Sequence, residues 1–285
     1  MGQSSFAVVT LFTNHMDAWV VTAVISLTAL IIHNQLSPRS LLLLVAMAGL
    51  CWFGFALNDF YDAPFDALDE KKADSNFFVH FPGIAKYGKA LFLSSGVLLV
   101  FAFLPFGLRG VAVLFLLFGV AWAYSAPPLR VKSRPGWDLL MHVTFVESFP
   151  FAATLFILQL PWMGVDFFAV CLLMMVSLAA QLEQQARDFE VDSQCEQNFT
   201  ITVGLSTTQR LLKIITAMTI LLVIIGAISG VIPAPFIPFF VIGAPSFLHR
   251  FVRRPSQPRS ERLVNVSVIT GGVYAAVLLF VNVFG

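Results

Sequence analysis

Apolar stretches of 14 to 27 residues alternate with short polar connectors along nearly the whole 285-residue chain. About 20 apolar residues cross the hydrocarbon core of a bilayer as a helix. On that measure the pattern predicts nine spans, over 6–32, 41–57, 84–106, 110–124, 139–160, 167–186, 208–231, 235–248 and 263–284. The fourth and eighth are short, and the eighth carries Pro235, Pro238 and Pro245, which predicts a bend or tilt. No linker or low-complexity segment interrupts the series, so residues 1–285 are expected to form a single transmembrane domain. Composition agrees: 58% hydrophobic and 12% charged residues, with a mean hydropathy of +0.84, against about 25% charged in soluble domains. The expectation is an all-α polytopic membrane protein, a bundle around a central cavity with no nucleic-acid partner. Residues 1–10 lack a basic n-region, so no cleaved signal peptide is expected.

The position of charge adds more than the net value of +1. Nine spans put the N-terminus and the loops after spans 2, 4, 6 and 8 on one side. With the adjacent helix ends, that side holds 15 of the 17 basic residues, all but Arg39 and Arg109. The positive-inside rule makes it cytoplasmic, with the C-terminus on the opposite side.

Two acidic clusters fall on this same side. The first is Asn58-Asp59-Phe60-Tyr61-Asp62-Ala63-Pro64-Phe65-Asp66, and the second is Asp188-Phe189-Glu190-Val191-Asp192. Ionisable residues at the mouth of membrane helices are costly to place and mark functional sites by default. Asn58, Asp62 and Asp66 recur at four-residue spacing, which puts them near one helix face, with Asp59 one position round. Gln181, Gln184 or Gln185, Asp188 and Asp192 repeat the stripe at the end of span 6. One such cluster could be ordinary helix-end charge. Two, at matching spacing on one side, are what a protein needs to hold Mg²⁺ against a diphosphate. Pro64 is the point where a bend would carry Asp66 off the shared face.

Between the clusters lies Tyr124-Ser125-Ala126-Pro127-Pro128-Leu129-Arg130-Val131-Lys132-Ser133-Arg134. The prolines stop span 4 and predict an extended turn. In an extended run Arg130, Lys132 and Arg134 alternate onto one side, where they could neutralise a leaving diphosphate.

Together these pieces resemble the UbiA superfamily of intramembrane prenyltransferases. Asn58, Asp59, Asp62 and Asp66 meet its NDxxDxxxD pattern, Asp188 and Asp192 its second DxxxD, and the YSAPPLRxK loop is similar to the family's. The stretch 66–72 and this loop lean towards lycopene-elongase-type enzymes, and the loop is also similar to that of chlorophyll synthases. The chain departs from the family where a Lys-Pro-x-Arg-Pro stretch usually follows the first motif, reading Ser75-Asn76-Phe77-Phe78 instead, and where Asn198-Phe199-Thr200 replaces a Lys-Thr pair. The resemblance implies a helical bundle whose cytoplasmic mouth carries both motifs. It implies Mg²⁺ held by Asn58, Asp59, Asp62, Asp66, Asp188 and Asp192, with Arg130, Lys132, Arg134 and Tyr124 on the substrate. The partners it implies are an allylic prenyl diphosphate, a lipophilic acceptor and membrane lipid. Asp62, Asp188, Arg130 and Lys132 are the expected catalytic set.

Glu147, two to three turns into span 5, is an expensive place for an acid. It reads either as a substrate-orienting or cation-stabilising group, or as the partner of an inward-facing polar residue. His80 and His142 are candidate proton acceptors, though a lone histidine is more often merely hydrogen-bonded. Cys51, Cys171 and Cys195 have no metal spacing and read as small hydrophobes. A membrane terpene cyclase would use the same two motifs. An ion-coupled transporter would place its acids at the midplane of repeated halves, and no internal repeat is found.

Overall fold

The structure, a computed structural model, describes residues 10–68, 70–195, 197–254, 257 and 259–284. The start of the expected first span, at 6–9, lies outside them, as do the side chains of Lys71 and Cys195. The described residues are helical, with no strand among them. The main helices are α1 Met16–Ile32, α2 Pro38–Asp66, α3 Gly88–Phe103, α4 Gly107–Ser125, α5 Trp137–Leu158, α6 Gly164–Arg187, α7 Leu205–Ile228, α8 Ile237–Val252 and α9 Glu261–Phe284. Short helices occupy the connections after α2 and α6.

By length and composition, seven segments among the described residues of this polytopic fold qualify as membrane spans, where the sequence pattern predicts nine. Two features account for the difference. Helix α1 has 17 residues and is about 26 Å long at 1.5 Å per residue, at the lower end of the length that spans a bilayer. Helices α3 and α4 form one continuous apolar segment of 38 residues, Gly88–Ser125. That segment folds back on itself at Gly107, whose φ of +64° places it in the region open to glycine. Gly96 then lies beside Phe118, as an antiparallel hairpin requires.

Helix α2 sits at the centre, against α1, α3 and α4. Ser37 and Ser40 start it with a reciprocal capping box (Ser40 N–H to Ser37 Oγ 3.1 Å, Ser37 N–H to Ser40 Oγ 2.7 Å), and Pro38 follows at the first helical position. Its outer face packs through rings: Phe53 lies against Phe92 and Phe118 with centroids 5.5 and 4.8 Å apart, and Phe60 against Phe78 at 5.3 Å. Gly88 permits this closeness, since a Cβ there would stand 2.4 Å from the Phe60 ring. At the end remote from the acidic clusters, buried Asp166 caps α6 by accepting from Met163 N–H at 2.7 Å. It also takes the His33 ring nitrogen at 3.1 Å, which ties the end of α1 to the start of α6.

Helix α5 is not regular. Val143–Ser148 is a π-helical turn, in which the Ser148 hydroxyl donates to the carbonyls of Val143 (3.0 Å) and Thr144 (2.8 Å). The wider turn shifts the facing of side chains, a feature common at functional sites. His142, Phe145, Val146 and Pro150 all reach the central cavity from this part of α5.

Candidate active site

The cavity measures about 190 Å³ and is enclosed mainly by α1, α2, α4, α5 and α6. Thr22, Met47, Leu50, Cys51, Gly54, Phe55, Leu117, Val120 and Ala121 make its wall predominantly apolar, while Asn58, Tyr124, Ser125, Gln181 and Gln184 supply its polar edge. Gln181 is buried, and its Oε1 has no hydrogen-bond partner among the described residues, which leaves an acceptor at the cavity wall. The His142 ring pairs through Nδ1 with Ser177 Oγ at 3.1 Å.

The first acidic cluster closes the polar edge. Ser125 Oγ and Lys132 Nζ both donate to Asn58 Oδ1 at 3.1 Å. Lys132 also donates to Asp62 Oδ2, and Arg130 Nη2 donates to Asp62 Oδ1 at 3.1 Å. The sequence predicts an extended run for the Arg130 loop, yet Val131–Ser133 is a 3₁₀ turn entered through Arg130 at φ +35°. The turn, rather than strand alternation, aims Arg130 and Lys132 at one carboxylate. Arg130 is also stacked 4.1 Å over the Phe65 ring and donates from Nε to Ser133 Oγ. Arg134 is exposed, outside this convergence, and makes no ion pair among the described residues.

Asp59 turns the other way. Its carboxylate accepts from Asn14 Nδ2 at 2.8 Å and meets the His15 ring at 3.0 Å, in a small recess shared with Trp52, Phe77 and Phe78. Burial lowers the pKa of His15, but the hydrogen bond and charge of Asp59 outweigh it and leave the value raised. Pro64 neither breaks α2 nor removes Asp66, because the helix runs on to Asp66. There Asn76 Nδ2 donates to Asp66 Oδ2 and to the Asp59 carbonyl, each at 2.8 Å.

The second cluster is less regular than its spacing predicts. Helix α6 ends at Arg187, Asp188 is its C-cap, and Asp192 belongs to the separate helix Phe189–Cys195. Arg187 forks onto Asp188 at 2.8 and 3.2 Å. Asp192 accepts from Lys72 Nζ at 2.7 Å and from Asn198 Nδ2 at 3.0 Å. Gln185 leaves the expected stripe and clamps the following loop, bonding Asp138 at 2.5 Å and accepting from the Thr200 N–H and hydroxyl.

Lys72 joins the two clusters. Burial lowers its pKa, yet the bond to Asp192 and the charges of Asp192, Asp188 and Asp66 raise it on balance. Sequence reading places Lys72 among the basic loop residues but not in the site. Asn76 is also missed, although its position in the stretch that departs from the family pattern was a signal. Glu147 is not among the residues lining the central cavity. Its Oε2 is buried within the π turn without a hydrogen-bond partner among the described residues. His80 is exposed, its ring against Phe81.

Each of Asp62, Asp188 and Asp192 is paired with a protein cation. Accordingly, no three carboxylate, imidazole or thiolate groups among the described residues converge as a ready metal cage. The polar groups that the two clusters offer are the Asn58 amide oxygen and the carboxylates of Asp62, Asp66, Asp188 and Asp192, with no sulfur or ring nitrogen among them. Hard oxygen donors of this kind suit Mg²⁺.

No family model and no curated protein matches the chain. Solved structures do. A UbiA homologue from Archaeoglobus fulgidus bound to DMAPP and Mg²⁺ superposes with a TM-score of 0.69 at 17% identity, over 94% of this chain and 98% of that one. The same homologue bound to GPP and Mg²⁺ gives 0.67 at 17%, over 96% and 98%. The apo UbiA homologue from Aeropyrum pernix K1 gives 0.68 at 13%, over 93% and 98%. The chain therefore has the fold of these UbiA homologues along almost its whole length.

Proposed function

We propose that the protein is an Mg²⁺-dependent intramembrane prenyltransferase of the UbiA superfamily, moving an isoprenyl group from an allylic diphosphate to a lipophilic acceptor. One observation carries the reading: two acidic clusters and a basic turn meet at the mouth of an apolar cavity, in the fold of proteins whose structures hold DMAPP or GPP with Mg²⁺. Asn58, Asp62, Asp66, Asp188 and Asp192 would hold the metal. Asp59, committed to His15 and Asn14, would support the helix that presents the others. When bound, Mg²⁺ neutralises the diphosphate and makes it a better leaving group.

Arg130 and Lys132 carry the charge that the carboxylates do not. They bind the diphosphate oxygens, and their hydrogen bonds strengthen as the allylic C–O bond breaks and both its electrons leave with the diphosphate. The isoprenyl chain lies in the cavity, where Tyr124, Phe55 and Phe145 offer ring faces to the allylic cation. An acceptor carbon or oxygen then forms the new bond, and a proton passes from the acceptor to a base. The basic asymmetry of the loops supports a mouth and N-terminus in the cytoplasm and, with nine crossings, a C-terminus on the opposite side.

The test is turnover of labelled allylic diphosphates of increasing length in membranes, with identification of the lipid product. Activity is expected to vanish with EDTA, return with Mg²⁺, and be abolished in Asp62→Ala and Asp188→Ala while both variants still fold. Wild-type activity in either variant, or indifference to chelation, would overturn the metal-site reading. A cyclised hydrocarbon as product would replace transfer by internal quenching of the same cation.

A further inference from the structure

Prenyl transfer must end with a proton leaving the acceptor, and the cavity wall decides what can take it. Among the described residues that line the cavity there is no carboxylate, ammonium or guanidinium group, and His142 carries the only imidazole. The other polar lining groups are amides, hydroxyls and one thiol, which are weak bases in their neutral forms. His142 reaches the wall from α5, as the last residue before the π turn. Its depth follows from the helix pairing. Asp138 of α5 meets Gln185, two residues before α6 ends at Arg187, and His142 lies four residues further along, roughly 6 Å deeper. A diphosphate held at the mouth hangs the first carbons of its isoprenyl chain at that level.

The hydrogen bonds around the ring fix where its proton sits. Ser177 of α6 has one hydroxyl hydrogen, which it donates to the His142 carbonyl at 3.3 Å. The same Ser177 oxygen stands 3.1 Å from His142 Nδ1. Both bonds form together only if Nδ1 carries the ring hydrogen and donates it to Ser177 Oγ. Nε2 then holds the lone pair, and it has no hydrogen-bond partner among the described residues. A histidine oriented through one nitrogen, with the other left to accept a proton, is equipped as a general base. We propose that His142 Nε2 is the catalytic base of the prenyl transfer, an assignment that rests on the prenyltransferase reading. The allylic C–O bond breaks and its electron pair leaves with the diphosphate. A π or lone pair of the acceptor then forms the bond to the allylic carbon, and the acceptor becomes cationic. Such a cation is a strong acid, so a neutral imidazole suffices. Nε2 takes the proton from the attacked atom, and the electron pair of that C–H or O–H bond returns to the acceptor. The imidazolium passes the proton to the departing diphosphate. Ser177 is a positioning residue, holding the ring in the tautomer that this step requires.

The test uses the full-length protein in membranes of its native host, which contain the acceptor, expressed in place of the chromosomal copy. The probe is labelled dimethylallyl or geranyl diphosphate, or the longer homologue that wild type turns over best, with Mg²⁺. Label is counted in extracted lipid and in free prenyl alcohol, and donor binding is measured separately in nanodiscs. His142→Asn keeps an N–H that can donate to Ser177 and removes the base. It should bind the donor within twofold of wild type and lose at least about 100-fold in lipid product, the lower end of general-base catalysis. Its label should appear instead as prenyl alcohol, because water captures the cation. His142→Ala should regain lipid product when imidazole is added, a response that a purely structural role would not show. Ser177→Ala should lose about fivefold, the worth of one hydrogen bond, and it keeps the assignment refutable if no His142 variant folds. Lipid product within tenfold of wild type in His142→Asn, no rescue by imidazole, or no loss in Ser177→Ala would each overturn the assignment and leave the proton to the diphosphate. Neither donor binding nor lipid product in wild type would instead overturn the prenyltransferase reading itself.

Discussion

Lys132→Met is the sharpest probe of the mouth, because it removes a charge while keeping most of the side chain's length. In the structure Lys132 Nζ donates to Asp62 and to Asn58 Oδ1 at 3.1 Å, and the side chain is buried. Arg130 still donates to Asp62 at 3.1 Å, so the substitution does not strand that carboxylate. If Lys132 moves onto the diphosphate, its loss removes one charge-assisted hydrogen bond, worth about 1.5–3 kcal/mol. The bare Coulomb attraction of two unit charges 4 Å apart, about 4 kcal/mol at an effective dielectric of 20, sets the ceiling. At about 1.4 kcal/mol per decade, donor binding should weaken roughly 10- to 150-fold. The assay is equilibrium binding of a labelled allylic diphosphate to protein in nanodiscs with Mg²⁺, which needs no knowledge of the acceptor. In turnover the same loss should raise the KM for the donor and, because the contact strengthens as the C–O bond breaks, lower kcat as well. A Kd within twofold of wild type, in a variant with an unchanged Tm, would refute the reasoning and return this loop to a purely topological role.

Three further outcomes follow from the structure. The raised pKa of His15 means that its pairing with Asp59 stabilises the fold fully below its unfolded value, about 6.5, and that this stability is lost as pH rises through the higher folded value. His15→Gln should therefore flatten the pH dependence of Tm on the alkaline side of pH 6.5; the same slope in the variant would remove His15 as its source. Asn76→Ala deletes hydrogen bonds to Asp66, to the Asp59 carbonyl and to the Phe78 and Val79 N–H groups. At about 1 kcal/mol each it should cost about 3–4 kcal/mol by chemical denaturation, and a loss under 1 kcal/mol would show that the loop does not depend on this hub. Ala121→Phe puts a ring into the 190 Å³ cavity and should shorten the longest diphosphate bound by at least one isoprene unit, whereas an unchanged length profile would place the chain elsewhere.

Much of this arrangement could be read from the chain because it rests on local rules. Apolar length located the main helices, four-residue spacing put Asn58, Asp62 and Asp66 near one face, and Pro127-Pro128 ended α4 where expected. What could not be read depends on distant partners or on small departures from regular helix. Asp59 is turned aside by Asn14 and His15, 45 and 44 positions earlier, in a segment that the pattern reads only as part of the first apolar span. The link from Lys72 to Asp192 spans 120 positions. The second stripe failed because helical spacing assumes a continuous helix, and α6 ends one residue before Asp188. Likewise, a periodic apolar count is blind to the π turn that holds Glu147, since six residues in a wider turn are as hydrophobic as six in a normal one.

The pairing of the mouth with itself has a thermodynamic consequence. Asp62 holds Arg130 and Lys132, Asp192 holds Lys72, and Asp188 holds Arg187. On the proposed function, a metal arriving alone must strip carboxylates from their cations, and a diphosphate arriving alone must strip cations from their carboxylates. Each leaves an uncompensated charge behind, and buried charges without partners are costly. Arriving together, they exchange one set of ion pairs for another, each ligand taking the half of the network that the other releases. Metal and donor affinity are then heterotropically coupled by construction, and reciprocity requires each to tighten the other by the same factor. The resting enzyme would discriminate against free phosphate and free Mg²⁺ alike, and admit the two as one neutralised unit.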